Sequence, residues 1–297
     1  MTARCGFAAI VGAPNAGKST LLNRLTGAKL SIVSPKAQTT RMRVLGVVMR
    51  GESQILLVDT PGIFRPRRRL DRAMVAAAWT GAADADLVLL LVDAKAGLTD
   101  AVREIAGGLA RRGGALWLVL NKVDQVAPPR LLPLVAELTK LAPFAETFMV
   151  SAATGDGLDR LLDRLAEAMP EGPHLYPDDE LTDLPDRLLA AELVREQIFL
   201  QTHEEVPYGT TVETESWQER RDGSVRVEAT IYVARPGHKA ILIGERGARI
   251  REIGARARAQ LTRLLERPVH LFLNVKERAG WDEEAARLRA LGLEDTE

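Results

Sequence analysis

The chain has 297 residues, with forty basic and forty acidic side chains and a formal net charge of zero, so only the local distribution of charge can speak about partners. One cysteine, Cys5, excludes an internal disulfide and fits a reducing, cytoplasmic setting. The longest apolar run, Leu87 to Val92, is too short to span a bilayer, and the N-terminus, entering the first expected strand within a few residues, shows no signal-peptide pattern.

The length predicts two domains. Phe7-Ala8-Ala9-Ile10-Val11 reads as a buried strand and Ser19 to Leu25 as a helix, with Gly27 just past its end. Between them stands Gly12-Ala13-Pro14-Asn15-Ala16-Gly17-Lys18-Ser19, which fits the G-x-x-x-x-G-K-[ST] phosphate loop in the strand–loop–helix context that the motif requires. Its glycines let successive backbone N–H groups face an anion, and the helix N-terminus adds partial positive charge. Lys18 is expected on the outer phosphates and the Ser19 hydroxyl on Mg²⁺, with Thr20 beside it.

A polar stretch, Lys29 to Arg43, follows and holds Gln38-Thr39-Thr40-Arg41. Either threonine could ligate Mg²⁺ when a triphosphate is bound, and Thr40 is preferred. Val44 to Met49 and Ile55 to Val58 read as strands joined by a hairpin at Gly51-Glu52. The second of them ends in Asp59-Thr60-Pro61-Gly62-Ile63. Asp59 fits the acidic residue that holds Mg²⁺ in phosphate-loop NTPases, and the Gly62 N–H could bond the γ-phosphate. Lys18, Thr40 and Gly62 are therefore the expected catalytic groups. Ile63 stands where a small GTPase would carry a water-positioning Gln, and an isoleucine cannot orient water. Five arginines, at 65, 67, 68, 69 and 72, come next. They could meet RNA, meet the second domain, or form a solvated loop.

An Ala-rich helix is expected over about 70–80. Leu87–Val92, Leu116–Leu120 and Thr147–Val150 then read as strands, alternating with helices over Thr99–Arg111, Pro129–Leu141 and Leu158–Met169. Apolar strands alternating with amphipathic helices predict an α/β fold with a mostly parallel sheet, whose ligands lie at the carboxyl ends of the strands. Asn121-Lys122-Val123-Asp124 sits at such an end. An Asp124 carboxylate can accept both the ring and the exocyclic N–H of guanine, a donor pair that adenine lacks. Asn121 would tie the loop together, the Lys122 stem would pack on the base, and Ser151-Ala152-Ala153 would offer backbone N–H groups to the guanine oxygen. GTP and GDP are thus the expected ligands.

Composition shifts at Pro170. The predicted division is a GTP-binding domain over 1–170, an acidic, proline-punctuated linker over 171–185, and a smaller α+β domain over 186–297. The latter is expected to begin with a helix over Asp186–Gln201. Strands over Thr211–Glu219 and 225–233 would follow, turning at Asp222-Gly223. A helix opening from Ile241 to Gly247 and running to about Ile253, a second helix carrying Leu261, Leu264 and Leu265, and a last strand from Val269 to Val275 complete the order. Gly244-Glu245-Arg246-Gly247 matches the GXXG loop with which a KH module clamps backbone nucleotides. The window 235–267 holds nine Lys or Arg against three Glu, a local excess of six positive charges. Lys239, Arg246, Arg249 and Arg251 are the expected RNA contacts beside Gly244, Glu245 and Gly247. A carboxylate at Glu245 is unexpected where phosphates should lie.

One GTPase domain with Pro35-Lys36-Ala37-Gln38-Thr39-Thr40-Arg41, Asp59-Thr60-Pro61-Gly62 and Asn121-Lys122-Val123-Asp124, joined to a KH type-2 module that ends Pro268-Val269-His270-Leu271, resembles the bacterial Era-like GTPase family over essentially the full chain. The resemblance implies a role in assembly of the small ribosomal subunit, in which the KH module grips the 3′ end of small-subunit ribosomal RNA under control of the bound nucleotide. It implies action as a monomer on the pre-30S particle, in the cytoplasm and peripherally at the inner membrane, although no residue here points to membrane contact. In related GTPases an Asn at position 15 helps hold K⁺, which would supply the charge role of an arginine finger; bracing of the loop is the other reading of Asn15. An RNA-binding module with incidental GTPase activity and a membrane-associated signalling GTPase are the two alternative functions.

Overall fold

A computed structural model describes residues 2–203 and 205–293, so the last four residues of the expected second domain lie outside the described residues. The described residues fold as two compact units, one of residues 2–31, 40–183 and 288–293 and the other of residues 32–39, 184–203 and 205–287.

The first unit is built on β1 (Arg4–Val11), α1 (Lys18–Thr26), β2 (Val44–Arg50), β3 (Ser53–Asp59), α2 (Arg69–Asp84), β4 (Leu87–Asp93), α3 (Asp100–Arg112) and β5 (Ala115–Asn121). It continues through α4 (Leu131–Leu138), β6 (Glu146–Met149) and α5 (Leu158–Ala168). The sheet order is β2-β3-β1-β4-β5-β6. All neighbours are parallel except β2 and β3, which form the expected antiparallel hairpin. Strands as apolar as Ile55-Leu56-Leu57-Val58 and Leu87–Val92 are buried because helices cover both faces. One core cluster joins Ala9, Val11, Leu90, Val92, Leu118 and Leu120 to Ala78 and Ala82 of α2 and to Val102, Ile105 and Leu109 of α3. Parallel register brings the strand ends to one rim: Ile10 pairs with Asp59, and Asp93 pairs with Asn121. The helix expected over 129–141 is shorter. Pro128 and Pro129 form a 3₁₀ turn with Arg130, and α4 runs from Leu131 to Leu138, with Pro133 in its first turn, where a missing N–H is tolerated.

The segment expected as a linker groups with the first unit through residue 183. It lies along β2 and β3: Val47 N–H donates to Leu181 O at 2.9 Å, the Thr182 hydroxyl to Leu45 O at 2.6 Å, and the Gln54 amide to Tyr176 O at 2.8 Å. Gln54 Oε1 in turn accepts the N–H groups of Leu175 and Tyr176. Strand edges and a buried amide need such partners, and the strap supplies them.

The second unit contains α6 (Asp186–Gln201), β7 (Thr210–Glu219), β8 (Val225–Val233), α7 (Pro236–Ile243), α8 (Ala248–Leu264) and β9 (Val269–Glu277). Its sheet runs β7-β8-β9, antiparallel then parallel. Alternation in β8 sends Ala229, Ile231 and Val233 inward against Val194, Ile198, Leu242, Ile253 and Ala257, and Val225 and Val227 inward against Leu189, Leu193 and Leu261. The two expected helices, one running to about Ile253 and one carrying Leu261, Leu264 and Leu265, are a single helix, α8, and the helix α7 before the GXXG loop was not expected. A helix precedes the GXXG loop, opened by Pro236 at its first position, and the helix after the loop is continuous from Ala248 to Leu264. Gly254 does not interrupt it, since this glycine lies against β9, where an added Cβ would touch Leu273 at 3.4 Å. A 3₁₀ turn at Trp281–Glu283 and α9 (Ala285–Ala290) carry no sequence signal that predicts them; the Trp281 side chain is fully buried and donates to Gly209 O at 3.2 Å.

Candidate nucleotide site and candidate RNA-binding loop

The phosphate loop leaves β1 at Gly12 and enters α1 at Lys18. Gly17 caps the helix with φ +98°, and a Cβ there would lie 2.3 Å from Asn121 Nδ2. Only glycine meets both the conformation and the close approach. Lys18 is buried, and its ammonium donates to Gly12 O at 3.2 Å and to Ala13 O at 3.0 Å. Burial brings its pKa down to about 8, against the opposing pull of Asp59. Ala13 and Pro14 complete the exposed side of the loop with Asn15, which is held at φ +63°.

Asp59 is fully buried at the end of β3. Its Oδ2 accepts from the Ser19 hydroxyl at 2.7 Å, the Ser31 hydroxyl at 2.8 Å and the Thr40 hydroxyl at 3.5 Å, and Ser19 and Thr40 share a further bond at 2.8 Å. Burial raises the Asp59 pKa, and Lys18 and the three hydroxyls oppose that rise. Asp59 Oδ1 has no hydrogen-bond partner among the described residues. An unpartnered buried carboxylate oxygen within a set of hydroxyl oxygens fits Mg²⁺, which takes one or two carboxylates plus phosphate and water oxygens. Ser19, Thr40 and Asp59 would hold the ion, and the bound ion would neutralise charge developing on the phosphates. Thr39 lies elsewhere, bonded to Ser34 Oγ and Lys36 O.

Beyond Asp59, the Thr60 hydroxyl donates to Ile10 O at 2.9 Å, and Pro61 and Gly62 are buried beside the loop. Ile63 N–H donates to Gly12 O at 3.1 Å and its side chain is buried, so position 63 offers the reaction no polar atom of its side chain.

Asn121 links the two halves of the pocket. Its Nδ2 donates to Ala16 O at 2.9 Å and its Oδ1 accepts Ala152 N–H at 2.9 Å. Lys122, at φ +62°, donates to Asn15 O at 2.7 Å and pairs with Asp93 at 2.6 Å. Asp124 is exposed in the 3₁₀ turn Val123–Gln125, free to face a base. Ser151 is buried, with its N–H on Asp156 O at 3.0 Å and its Oγ accepting from Thr154 N–H at 3.1 Å. That engages the Ser151 and Ala152 N–H groups inside the protein, and so neither is presented to a guanine oxygen in this arrangement. Sequence reasoning missed Ser31 and Asp93. Asp93 had a legible signal, since it ends an apolar strand as Asp59 does; Ser31 had none within its polar stretch.

In the second unit, Gly244 (φ +69°), Arg246 (φ +49°) and Gly247 (φ +76°) make a sharp turn between α7 and α8. A Cβ at Gly244 would meet Arg249 Cβ at 2.8 Å. Arg251 donates to Arg246 O at 2.7 Å and braces the turn. The Arg249 guanidinium is bonded to Gln201 O, so its first role here is structural. Arg246 and Arg251 are exposed and Lys239 is half-buried. Glu245 is exposed and forms no ion pair among the described residues.

The model of the 50S ribosome-binding GTPase family matches residues 7–122, and the KH domain model matches residues 205–282. The GTPase Era of Afipia carboxidovorans is 53% identical over 291 residues, covering 98% of this chain and 94% of that protein. The GTPase Era of Rhizobium meliloti is also 53% identical, covering 98% of this chain and 93% of its own length. Among solved structures, an Aquifex aeolicus Era variant bound to GDP and aluminium fluoride superposes with a TM-score of 0.93 at 41% identity, over 97% of this chain and 99% of that one. Era in complex with MgGDPNP and nucleotides 1506–1542 of 16S ribosomal RNA gives the same TM-score and identity, over 98% and 99% of the two chains. With a phosphate loop, a Mg²⁺-type carboxylate, a guanine-type loop and a GXXG turn on a backbone this similar, the chain belongs to the Era family of GTPases.

Proposed function

We propose that this GTPase is a nucleotide-controlled RNA-binding switch acting on the 3′ end of small-subunit ribosomal RNA during assembly of the small ribosomal subunit. Residues 1–170 bind and hydrolyse Mg²⁺-GTP, and residues 186–297 grip the RNA. The observation that carries this reading is the turn at Gly244–Gly247, a GXXG loop on the same chain as the phosphate pocket. Such a turn lets a nucleotide backbone approach closely, and the N-terminus of the 17-residue α8 favours the phosphates. The Era relative solved with 16S ribosomal RNA nucleotides supports the class of RNA. We place the protein in the cytoplasm as a monomer that meets the pre-30S particle. Contact with the inner membrane is proposed as peripheral; among the described residues no helix is long and apolar enough to cross a bilayer.

The test is RNA affinity in two nucleotide states. A short single strand of the small-subunit RNA 3′ end should bind the GTP-analogue form and the GDP form with different affinities, and binding should weaken steeply with salt. Equal affinities in both states leave an RNA-binding module with incidental GTPase activity. Failure to bind the strand in either state removes the RNA role altogether.

Hydrolysis is assigned to Lys18, Thr40 and the Gly62 N–H, with Asn15 contributing K⁺. Asn15 is exposed on the phosphate loop, and Ile63 supplies no water-orienting group. A bound K⁺ would supply the charge role of an arginine finger, a role worth about 10³–10⁵ in rate. Single-turnover hydrolysis should therefore be faster in KCl than in NaCl, and Asn15→Ala should erase the difference. Equal rates for the parent chain in the two salts refute K⁺ participation.

A further inference from the structure

Between the Asp-Thr-Pro-Gly motif and the body of α2 lies Arg65-Pro66-Arg67-Arg68-Arg69-Leu70-Asp71-Arg72, five arginines and one acid in eight residues. The nucleotide site uses none of them. Buried Asp71 holds the run in place. Its Oδ2 accepts the N–H groups of Arg67 and Arg68, both at 3.1 Å, and its Oδ1 accepts from the Arg68 guanidinium at 3.2 Å. This reciprocal cap starts α2. Leu70, Ala73 and Met74 turn into the core, and Arg69 and Arg72, three positions apart, share one side of the first turn. Arg67 and Arg72 are exposed and form no ion pair among the described residues. Arg65 pairs with Glu104, with 85% and 53% of the two side chains exposed, a solvated pair that a phosphate can displace at small cost. The run begins two residues after Ile63, whose N–H is on the phosphate loop at Gly12 O.

We propose that this arginine run is a second RNA contact, carried by the first unit and separate from the GXXG loop, that binds backbone phosphates of the small ribosomal subunit. All five cations are arginines, whose planar forks match phosphate oxygens in pairs. RNA fits the surface better than an anionic membrane does. The exposed residues of the run are Arg65, Pro66, Arg67 and Arg72, while Leu70 and Met74 are buried, so it has no exposed leucine or aromatic side chain to enter a lipid interface. Because the run continues directly from the segment on the phosphate loop, a phosphate held here would also bear on the nucleotide site.

The inference rests on the RNA reading above, and the test separates the two. The full-length Arg67→Ala/Arg72→Ala variant is compared with the parent on a short single strand of the 3′ end and on isolated small ribosomal subunits. Affinity for the strand should stay within about twofold of the parent. Affinity for the subunit should fall roughly tenfold, and its salt slope should drop by about one to two. Replacement by glutamate at both positions should deepen the subunit loss to roughly a hundredfold, with GTP affinity and melting temperature unchanged. Unchanged subunit affinity overturns the proposal. Equal losses on strand and subunit overturn it too, since they move the effect to the second unit. So does parental binding to phosphatidylserine vesicles that the variant loses while its subunit binding is intact. A parent chain that binds neither RNA overturns the RNA reading and this inference with it.

Discussion

Asp124→Asn is expected to lower GTP affinity on the order of 10⁴-fold and to transfer preference to xanthosine triphosphate. Asp124 lies in the 3₁₀ turn Val123–Gln125, whose backbone is held by Val123 N–H on Val150 O at 3.3 Å and Gln125 N–H on Lys122 O at 3.0 Å. Its carboxylate is an acceptor on both oxygens and matches the two N–H groups of guanine. Asparagine turns one acceptor into a donor, which opposes the guanine amino group and fits the xanthine carbonyl. The side chain is exposed, so the folded state should be as stable as the parent. Competition binding with GTP, ATP and XTP reads the result. Undiminished GTP binding by the variant would mean that the base is recognised by another group.

Gly17→Ala is the second substitution with a large expected effect, and it damages both halves of the pocket at once. At φ +98° an alanine is strained by about 1–2 kcal/mol. Its Cβ would stand 2.3 Å from Asn121 Nδ2, well inside van der Waals contact, and would push the amide from Ala16 O. The displaced Asn121 would also release Ala152 N–H, leaving buried polar groups unpaired at about 1–3 kcal/mol each. Together these terms, about 3–8 kcal/mol with two groups unpaired, put the loss of nucleotide affinity at roughly 10²- to 10⁶-fold by the usual conversion of about 1.4 kcal/mol per decade. GTP and GDP should suffer alike, because the damage falls on the phosphate loop and on Asn121 of the guanine-type loop, which both nucleotides are expected to use. A loss confined to GTP would show that Gly17 acts at the γ-phosphate alone. Isothermal titration with both nucleotides, alongside a melting curve, distinguishes these outcomes.

Much of this site was legible because its chemistry is local. Gly12–Ser19, Asp59–Gly62 and Asn121–Asp124 each follow an apolar strand run, and a parallel sheet must bring such ends to one rim. The hydroxyl of Thr40, the threonine expected on Mg²⁺, bonds to Asp59, and that of Thr39 does not. Other features depend on partners distant in the chain. Lys122 was expected to lie along the base, and its ammonium is also held by Asp93, 29 residues away. Arg249 was expected on RNA, yet its guanidinium is bonded to Gln201 O, across 48 residues. Ser151 and Ala152 were expected to offer N–H groups to guanine, and both are engaged by Asp156 O and Asn121 Oδ1. No pattern of spacing reveals such pairings, because each is decided by which loops the folded strands bring within reach.

By itself, the order of residues determined the chemistry available here: a glycine turn that bares N–H groups, a carboxylate at a strand end, a loop suited to guanine, and a second α+β unit with a GXXG turn. Periodicity of 2 and 3.6 also determined most of the strands and helices, α7 and α9 excepted, since burial of one face or both is written in the spacing of apolar side chains. Only the tertiary structure decided that residues 171–183 strap the β2–β3 hairpin, that residues 32–39 group with the second unit while Ser31 and Thr40 remain with Asp59, and that Asn121 joins the phosphate loop to Ala152. The physical reason is common to all three. A buried polar group must find a partner, and the partner it finds depends on three-dimensional proximity that local sequence does not encode.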